Sequence, residues 1–261
     1  MSRKYNFNPG PAALPESVLR KAQSDLLDFK GLGTGILEIS HRSAEFVEFL
    51  ENAQARMRRL FGIPENYHIL FCQGGARTQF SMIPHNFLQG SAAYINTGTW
   101  SDKAIIEAAY FGEAREVASS KDDKYCHIPM EFTLKGDESY LHYTSNNTVM
   151  GTQFHNIPDS GDVPLIVDMS SDIGSQHMDV ERFDLIYAGV QKNLGAAGVT
   201  LVIVKDEFAQ KARTENMPAM SRYETYIKNN SLYNTPPVFN IYLVALMLEW
   251  VEEQGGVDAI D

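Results

Sequence analysis

Lys192 lies in a short glycine-containing turn between two apolar runs of the sequence, residues 185–190 and 199–204. Such runs, rich in β-branched residues and bounded by glycine, are typical of strands buried on both faces of a sheet. A lysine between two buried strands is costly unless its charge is paired or removed. Because desolvation lowers the pKa of a lysine and makes it a nucleophile, Lys192 could form a covalent imine with an aldehyde cofactor. A surface lysine in an ordinary β-turn is the alternative, and this stretch alone does not decide.

Asp168 ends a second apolar run, which begins at Pro164. Ligands of parallel sheets bind at the carboxyl ends of strands, so we expect Asp168 and Lys192 to face the same crevice. Pyridoxal 5'-phosphate needs this pair of groups, a lysine for the covalent link and a carboxylate on the pyridine nitrogen. The alternative for Asp168 is a capping role at a strand-to-helix turn.

Two further segments could serve a flat anionic ligand. Residues 73–78 place two glycines between a predicted strand and a predicted helix, an arrangement that can bind a phosphate, although a tight turn without a ligand has the same pattern. Trp100 begins a predicted helix near the same edge, where it could stack on a ring or be half-buried without a ligand. Residues 31–35 superficially resemble a dinucleotide loop, but no strand precedes them.

Composition excludes several classes of protein. The 261 residues are 44% hydrophobic and 21% charged, which suits one large globular domain or two ordinary ones. A net charge of −11 argues against nucleic-acid binding. No apolar run is long enough to span a membrane, and no signal peptide is expected at the amino terminus. Two cysteines without zinc spacing and no histidine cluster predict no metal site and a cytoplasmic location.

The order of predicted elements indicates an α/β fold. About seven strands alternate with helices, which favours a mostly parallel sheet covered by helices. Helices are predicted over residues 16–29, 43–60, 206–213 and 238–251, and residues 221–237 are expected to form a loop because they are rich in asparagine and proline.

Together these motifs resemble the phosphoserine aminotransferase family of fold-type-I, class-V pyridoxal-phosphate enzymes. The resemblance extends from Tyr5 to about Gly256, and no motif in it is specific by itself. It is carried by the order and spacing of these segments: 10–12 (GPA), 40–42 (SHR), 71–77 (FCQGGAR), 97–100 (TGTW), 168–171 (DMSS), 187–193 (YAGVQKN) and 233–237 (YNTPP).

The resemblance implies a role for each cofactor-binding residue. Lys192 would carry the cofactor and shuttle a proton, and Asp168 would pair with the pyridine nitrogen. Trp100 would stack on the ring and Thr148 would bond near its 3-hydroxyl group. The cofactor phosphate would be held by Ala76, Arg77 and Gln191, together with Asn234 and Thr235 of the neighbouring subunit, so the resemblance implies a homodimer with shared active sites.

The implied reaction converts glutamate and 3-phosphohydroxypyruvate into phosphoserine and 2-oxoglutarate, for serine and pyridoxine biosynthesis. His41, Arg42 and Arg77 would bind the substrate phosphate or distal carboxylate, and arginine can grip either group with two hydrogen bonds. Another fold-type-I activity, such as that of an alanine–glyoxylate aminotransferase, is one alternative. A dimer-forming fragment that binds the cofactor without turnover is another.

Two departures from the family pattern affect these expectations. Pro9 lies where the family's arm approaches the substrate, and proline has no N–H to donate. Family members also continue into a small carboxyl-terminal domain, which supplies an arginine for the substrate α-carboxylate. We therefore expect an amino-terminal arm at 1–15, a large cofactor-binding domain at 16–251 and, at 252–261, the start of a connection to a small domain that is absent.

Overall fold

The structure is a computed structural model, and it describes residues 3–260. Met1 and Ser2 of the predicted arm and Asp261 of the predicted connection lie outside the described residues. The nine strands are β1 (Tyr67–Gln73), β2 (Ser91–Asn96), β3 (Glu113–Ser119), β4 (Leu141–Thr144), β5 (Asn146–Asn147), β6 (Thr152–Gln153), β7 (Leu165–Asp168), β8 (Leu185–Gly189) and β9 (Val199–Lys205).

Eight α-helices and three short 3₁₀-helices accompany these strands in the described part of the chain. The α-helices are α1 (Glu16–Asp25), α2 (Ala44–Phe61), α3 (Ala76–Phe87), α4 (Thr99–Ala108), α5 (Asp206–Ala209), α6 (Tyr223–Lys228), α7 (Val238–Glu253) and α8 (Val257–Ile260). The 3₁₀-helices are Ile36–Glu38, Val180–Arg182 and Ala219–Ser221. None of the helices in residues 3–260 has the length and apolarity that crossing a bilayer requires.

A seven-stranded sheet in the order β1-β9-β8-β7-β4-β2-β3 forms the centre of the molecule. The pairs from β8 through β7, β4 and β2 to β3 are parallel, and β9 runs antiparallel to both of its neighbours. Six of the seven strands therefore point the same way, which confirms the predicted mostly parallel α/β sheet. Strands β5 and β6 form a separate small hairpin.

Helices cover both faces of the sheet, as a buried parallel sheet requires. On one face α2 and α7 pack on residues such as Ile69, Val167 and Ile186. On the other face, α3 and α4 pack on residues such as Tyr94 and Tyr187. Alternate residues of each strand thus enter two separate cores, which explains the continuous apolar runs in the sequence.

Helix α7 is apolar on nearly all sides because it lies between two partners. Its residues Val244 and Leu248 pack toward the sheet, whereas Leu243 and Met247 join Val18 of α1 in a third cluster. A helix buried between a sheet and another helix has no wide polar face.

The structure differs from the predicted elements in several places. Helix α1 ends at Asp25 rather than residue 29, and the predicted helix at 206–213 is reduced to α5. Part of the predicted loop at 221–237 is α6, because Tyr223 is anchored to α3: its hydroxyl donates to Gln79 Oε1 at 2.5 Å and its amide to Asn86 Oδ1 at 3.2 Å. Helix α7 continues to Glu253, across the predicted boundary at residue 252, and the domain division itself stays a prediction.

Candidate active site

Parallel strands β7 and β8 bring Asp168 and Lys192 to one edge of the sheet. Asp168 is the last residue of β7, and Lys192 follows the end of β8 by three residues. Both side chains line a cavity of about 210 Å³, which Arg77 and Trp100 also line. Four of the residues singled out from the sequence, on four different segments, therefore meet in one place.

Asp168 is a buried carboxylate with local hydrogen bonds. Its Oδ1 atom accepts from the Ser170 amide at 2.9 Å and from the Ser170 hydroxyl at 2.6 Å. Burial raises the pKa of Asp168, while the bonds from Ser170 and the charge of Lys192 lower it. A buried carboxylate of this kind is stabilised by a cationic or proton-donating ligand.

Lys192 is half-buried, and its amine has two neighbours. Its Nζ atom donates to the hydroxyl of Thr148 and lies 5.7 Å from the centre of the Trp100 ring. Burial lowers the pKa of Lys192, and the charges of Asp168 and Asp172 oppose that shift. A lowered pKa favours a covalent link to a carbonyl group, because the neutral amine is the nucleophile and its fraction at a given pH is larger.

The amino terminus of α3 forms an anion site beside these side chains. Gly75, the N-cap, has no side chain to accept the Ala76 and Arg77 amides, so these two remain available to a ligand, whereas the Thr78 amide donates to the Gly75 carbonyl at 2.9 Å. Ala76, Arg77 and Gln191 line the cavity at this point. Gly189 allows the close approach, since a Cβ atom there would lie 3.4 Å from the Ala76 nitrogen and 2.8 Å from Gln191 Oε1.

The amino-terminal arm packs on the aliphatic part of the Lys192 side chain. A Cβ atom on Gly10, whose φ is +148°, would lie 2.8 Å from the Cγ atom of Lys192, and the Ala12 amide donates to the Gln191 carbonyl at 3.0 Å. A side chain at position 10 would therefore displace the lysine.

Comparison with known proteins identifies the family to which this arrangement belongs. The family model of class-V aminotransferases matches residues 4–261. The chain is 51% identical to the phosphoserine aminotransferase of Lysinibacillus sphaericus over 99% of its own length and 72% of that protein's length. The chain belongs to the class-V aminotransferase family.

Solved structures of relatives extend this finding to the fold. The phosphoserine aminotransferase of Bacillus circulans subsp. alkalophilus superposes with a TM-score of 0.96 at 50% identity, over 99% of this chain and 72% of that one. A PLP-bound phosphoserine aminotransferase from Trichomonas vaginalis gives a TM-score of 0.91 at 36% identity, over 99% and 74% of the two chains. These similarities confirm the predicted fold-type-I aminotransferase architecture.

Thr148 does not line the cavity but contacts it through its hydrogen bond to Lys192, and four other predicted site residues of this class-V aminotransferase lie away from it. Arg42 is exposed, His41 is buried, and neither lines the cavity. Asn234 and Thr235 are exposed near the end of β1, where Gln73 accepts from Asn234 Nδ2 at 3.1 Å and donates to the Thr235 carbonyl at 2.9 Å. The roles expected for these four residues, like those expected for the residues that line the cavity, stay predictions.

Several residues that line the cavity were not among the predicted site residues. They are Gly75, Thr144, Asn146 and Ser170. Thr144 pairs in register with Asp168 at the end of β4, and Ser170 follows Asp168 by two positions, so proximity to the carboxyl ends of β4 and β7 is the signal that could have identified them. Asn147 acts indirectly: its Oδ1 atom accepts from the Trp100 amide at 3.1 Å.

Proposed function

We propose that this chain is a pyridoxal-phosphate-dependent transaminase that uses glutamate and 3-phosphohydroxypyruvate and forms O-phosphoserine and 2-oxoglutarate. The observation that carries the proposal is the convergence of Lys192, Asp168 and the amino terminus of α3 on one cavity. Relatives named phosphoserine aminotransferase, at about 50% identity over the whole chain, supply the substrate class. A further part in pyridoxine biosynthesis and a cytoplasmic location stay predictions.

The cavity residues fit pyridoxal phosphate by their unsatisfied polar atoms. Trp100 Nε1, Thr144 Oγ1 and Gln191 Oε1 are buried without a hydrogen-bond partner. Each unsatisfied buried polar group costs about 1–3 kcal/mol, so a polar ligand that reaches these atoms is strongly favoured. An anionic end fits the α3 amino terminus, and a cationic ring nitrogen fits the buried carboxylate of Asp168.

The residues of this chain have separate tasks in transamination. When bound, the cofactor supplies an aldehyde that links to amino groups and a ring that accepts electrons from the substrate Cα atom. Lys192 would hold the cofactor, and its Nζ atom, when not linked to it, would serve as the base for the Cα proton. Asp168 would stabilise a proton on the ring nitrogen, and Trp100, which lines the same cavity, would pack against the ring. Thr148 accepts from Lys192 Nζ and so orients the amine.

Substrate recognition in this proposal uses cationic side chains and a second subunit. Arg77 lines the cavity, where its guanidinium group can meet an anionic substrate group. His41 and Arg42 would join it in binding the substrate phosphate or distal carboxylate. Because Asn234 and Thr235 are exposed and do not line the cavity shared by Lys192 and Asp168, we infer that they contact the cofactor phosphate across a homodimer.

The test is a comparison of amino donors with the purified, cofactor-loaded protein. We expect formation of glutamate from 2-oxoglutarate with phosphoserine, and a kcat/KM for phosphoserine roughly 100-fold or more above that for alanine, which lacks the anionic group. Reduction with borohydride, followed by peptide mass analysis, should place the cofactor on Lys192. Cofactor binding without turnover of any donor would indicate a binding protein, and a preference for alanine with glyoxylate would replace the proposed substrate.

A further inference from the structure

Asp168 belongs to a group of three buried polar side chains on one face of the sheet. Asp168 and Tyr187 pair in register on β7 and β8, and His142 lies on the adjoining strand β4. The hydroxyl of Tyr187 and the Nε2 atom of His142 are 2.9 Å apart. All three residues are at most 3% exposed, so no solvent competes for their hydrogen bonds.

The direction of the bond between His142 and Tyr187 decides what the Tyr187 hydroxyl can do. Burial lowers the pKa of His142 to about 3, so the imidazole is neutral and carries one N–H. Its Nδ1 atom is buried without a partner. If the proton were on Nδ1, a buried N–H donor would be left unpaired, and such orphan donors are rarer in proteins than orphan acceptors.

Placing the proton on Nε2 removes this problem. His142 then donates to the oxygen of Tyr187, and the Tyr187 hydroxyl must donate elsewhere. Asp168 occupies the paired position on the neighbouring strand β7, and the nearby Tyr187 hydroxyl lowers the pKa of its carboxyl group. The interaction opposes the burial that otherwise favours the protonated, uncharged carboxyl group.

We propose that Tyr187 and His142 are positioning residues that act through Asp168: His142 Nε2 donates to the Tyr187 oxygen, and the Tyr187 hydroxyl donates to the Asp168 carboxylate and keeps it ionised. The effect of this arrangement on cofactor binding rests on the proposed function, because a protonated ring nitrogen pairs with an ionised Asp168. The state of Asp168 in the cofactor-free protein is independent of that function.

Other charged groups also act on Asp168 and must stay constant in the test. Lys192 lowers its pKa, and the nearby Asp172 interacts with it as a like charge. Arg77 lines the same cavity. The test variants therefore alter Tyr187 or His142 and leave Lys192, Asp172 and Arg77 unchanged.

Infrared titration of the Asp168 carboxyl group in cofactor-free protein tests the proposal. Asp168→Asn identifies its band by difference. We expect Tyr187→Phe to move the midpoint of that band upward by about one pH unit, the effect of losing one hydrogen bond to a charged group. In the same variant the dissociation constant of pyridoxal phosphate, measured at a pH below both midpoints, should rise about tenfold. His142→Leu should move both quantities in the same direction by a smaller amount.

Tyr94→Phe is the matched control. Tyr94 is a buried tyrosine of the same core, and its hydroxyl lies 2.6 Å from that of Tyr140 rather than beside Asp168. Its loss should lower the urea midpoint of unfolding and leave the Asp168 titration unchanged. Equal titrations in the two tyrosine variants would overturn the proposal.

Nitrogen NMR of histidine-labelled protein gives a second readout, with the signal of His142 assigned by its loss in His142→Leu. A proton on Nε2 is expected, and a proton on Nδ1 would also overturn the proposal. Normal titration shifts in a protein that fails to transaminate would refute only the proposed function.

Discussion

The cavity at the ends of β7 and β8 and the exposed segment around Asn234 differ in how their polar groups are satisfied. In the cavity, Trp100, Thr144 and Gln191 each have a buried polar atom without a partner. Asn234 lies in solvent and is bound by Gln73. Both regions belong to the expected cofactor site, but only the first is assembled within one chain.

This difference follows from how each region is built. The topology of the parallel sheet brings the carboxyl ends of its strands to one edge, so the cavity forms whenever the chain folds. The loop that carries Asn234 and Thr235 follows α6 and has no strand that directs it into the cavity. A second subunit is the direct way for such a loop to reach a cofactor site, and each prediction below tests one side of this contrast.

Replacing Lys192 should have the largest effect, because it removes both the cofactor link and the proton-transfer base. We expect Lys192→Ala to lower kcat for transamination by roughly three or more orders of magnitude. The measurement is glutamate formation from phosphoserine and 2-oxoglutarate. Lys103→Ala is the control, since Lys103 Nζ also lies near the Trp100 ring, at 5.2 Å, but does not line the cavity. Normal turnover in Lys192→Ala would remove this lysine from the mechanism.

Mixing two inactive variants tests whether the exposed segment acts across a dimer. Chains with Lys192→Ala and chains with both Asn234→Ala and Thr235→Ala should each be weak alone. In a mixed dimer one site receives an intact Lys192 and an intact partner loop, so unfolding and refolding the mixture should restore roughly a quarter of wild-type activity. If the loop served its own chain, no mixed site would be intact, and activity would stay at the sum of the two variants.

Arg42→Ala tests whether an arginine outside the cavity binds the anionic group of the substrate. Losing one charge-assisted hydrogen-bonded pair costs about 1.5–3 kcal/mol, so KM for phosphoserine should rise roughly 10- to 100-fold. The rise in KM for alanine as amino donor should be much smaller. Arg20→Ala is the matched control, because Arg20 is an exposed arginine paired with Glu16 on α1. An equal loss for both donors would show that Arg42 does not bind the phosphate.

The smallest expected effect concerns stability and the carboxylate of Asp172. Burial raises its pKa to about 6, and the Ser145 hydroxyl donates to it at 2.6 Å. Between the unfolded value near 3.8 and this folded value the native state binds the extra proton. The free energy of unfolding should therefore fall as pH rises through this window, by at most about 3 kcal/mol.

Asp172→Asn should remove that slope and raise the stability of the protein at pH 7–8. Urea unfolding at pH 4, 5, 6 and 7 measures the effect, and Asp159→Asn, at an exposed loop position, is the control. A slope that persists in Asp172→Asn would assign it to another group.

The sequence was sufficient for the sheet and for the centre of the site. Apolar runs such as Val199–Val204 are too continuous for half-exposed strands, and a lysine and an aspartate that both follow such strands lie where parallel sheets bind ligands. The seven strands, and the placement of Lys192 and Asp168 at one edge, therefore followed from local pattern and strand polarity. The placement of Ala76, Arg77 and Trp100 at the starts of α3 and α4 followed in the same way.

Only the tertiary structure decided features that depend on contacts between distant segments. Helix α6 exists because Tyr223 bonds to residues of α3, which its own composition does not reveal. The bond between His142 and Tyr187 and the packing of Gly10 on Lys192 join residues 45 and 182 positions apart. Such pairings depend on strand order and on the path of the arm, and no local pattern of residues encodes either of them.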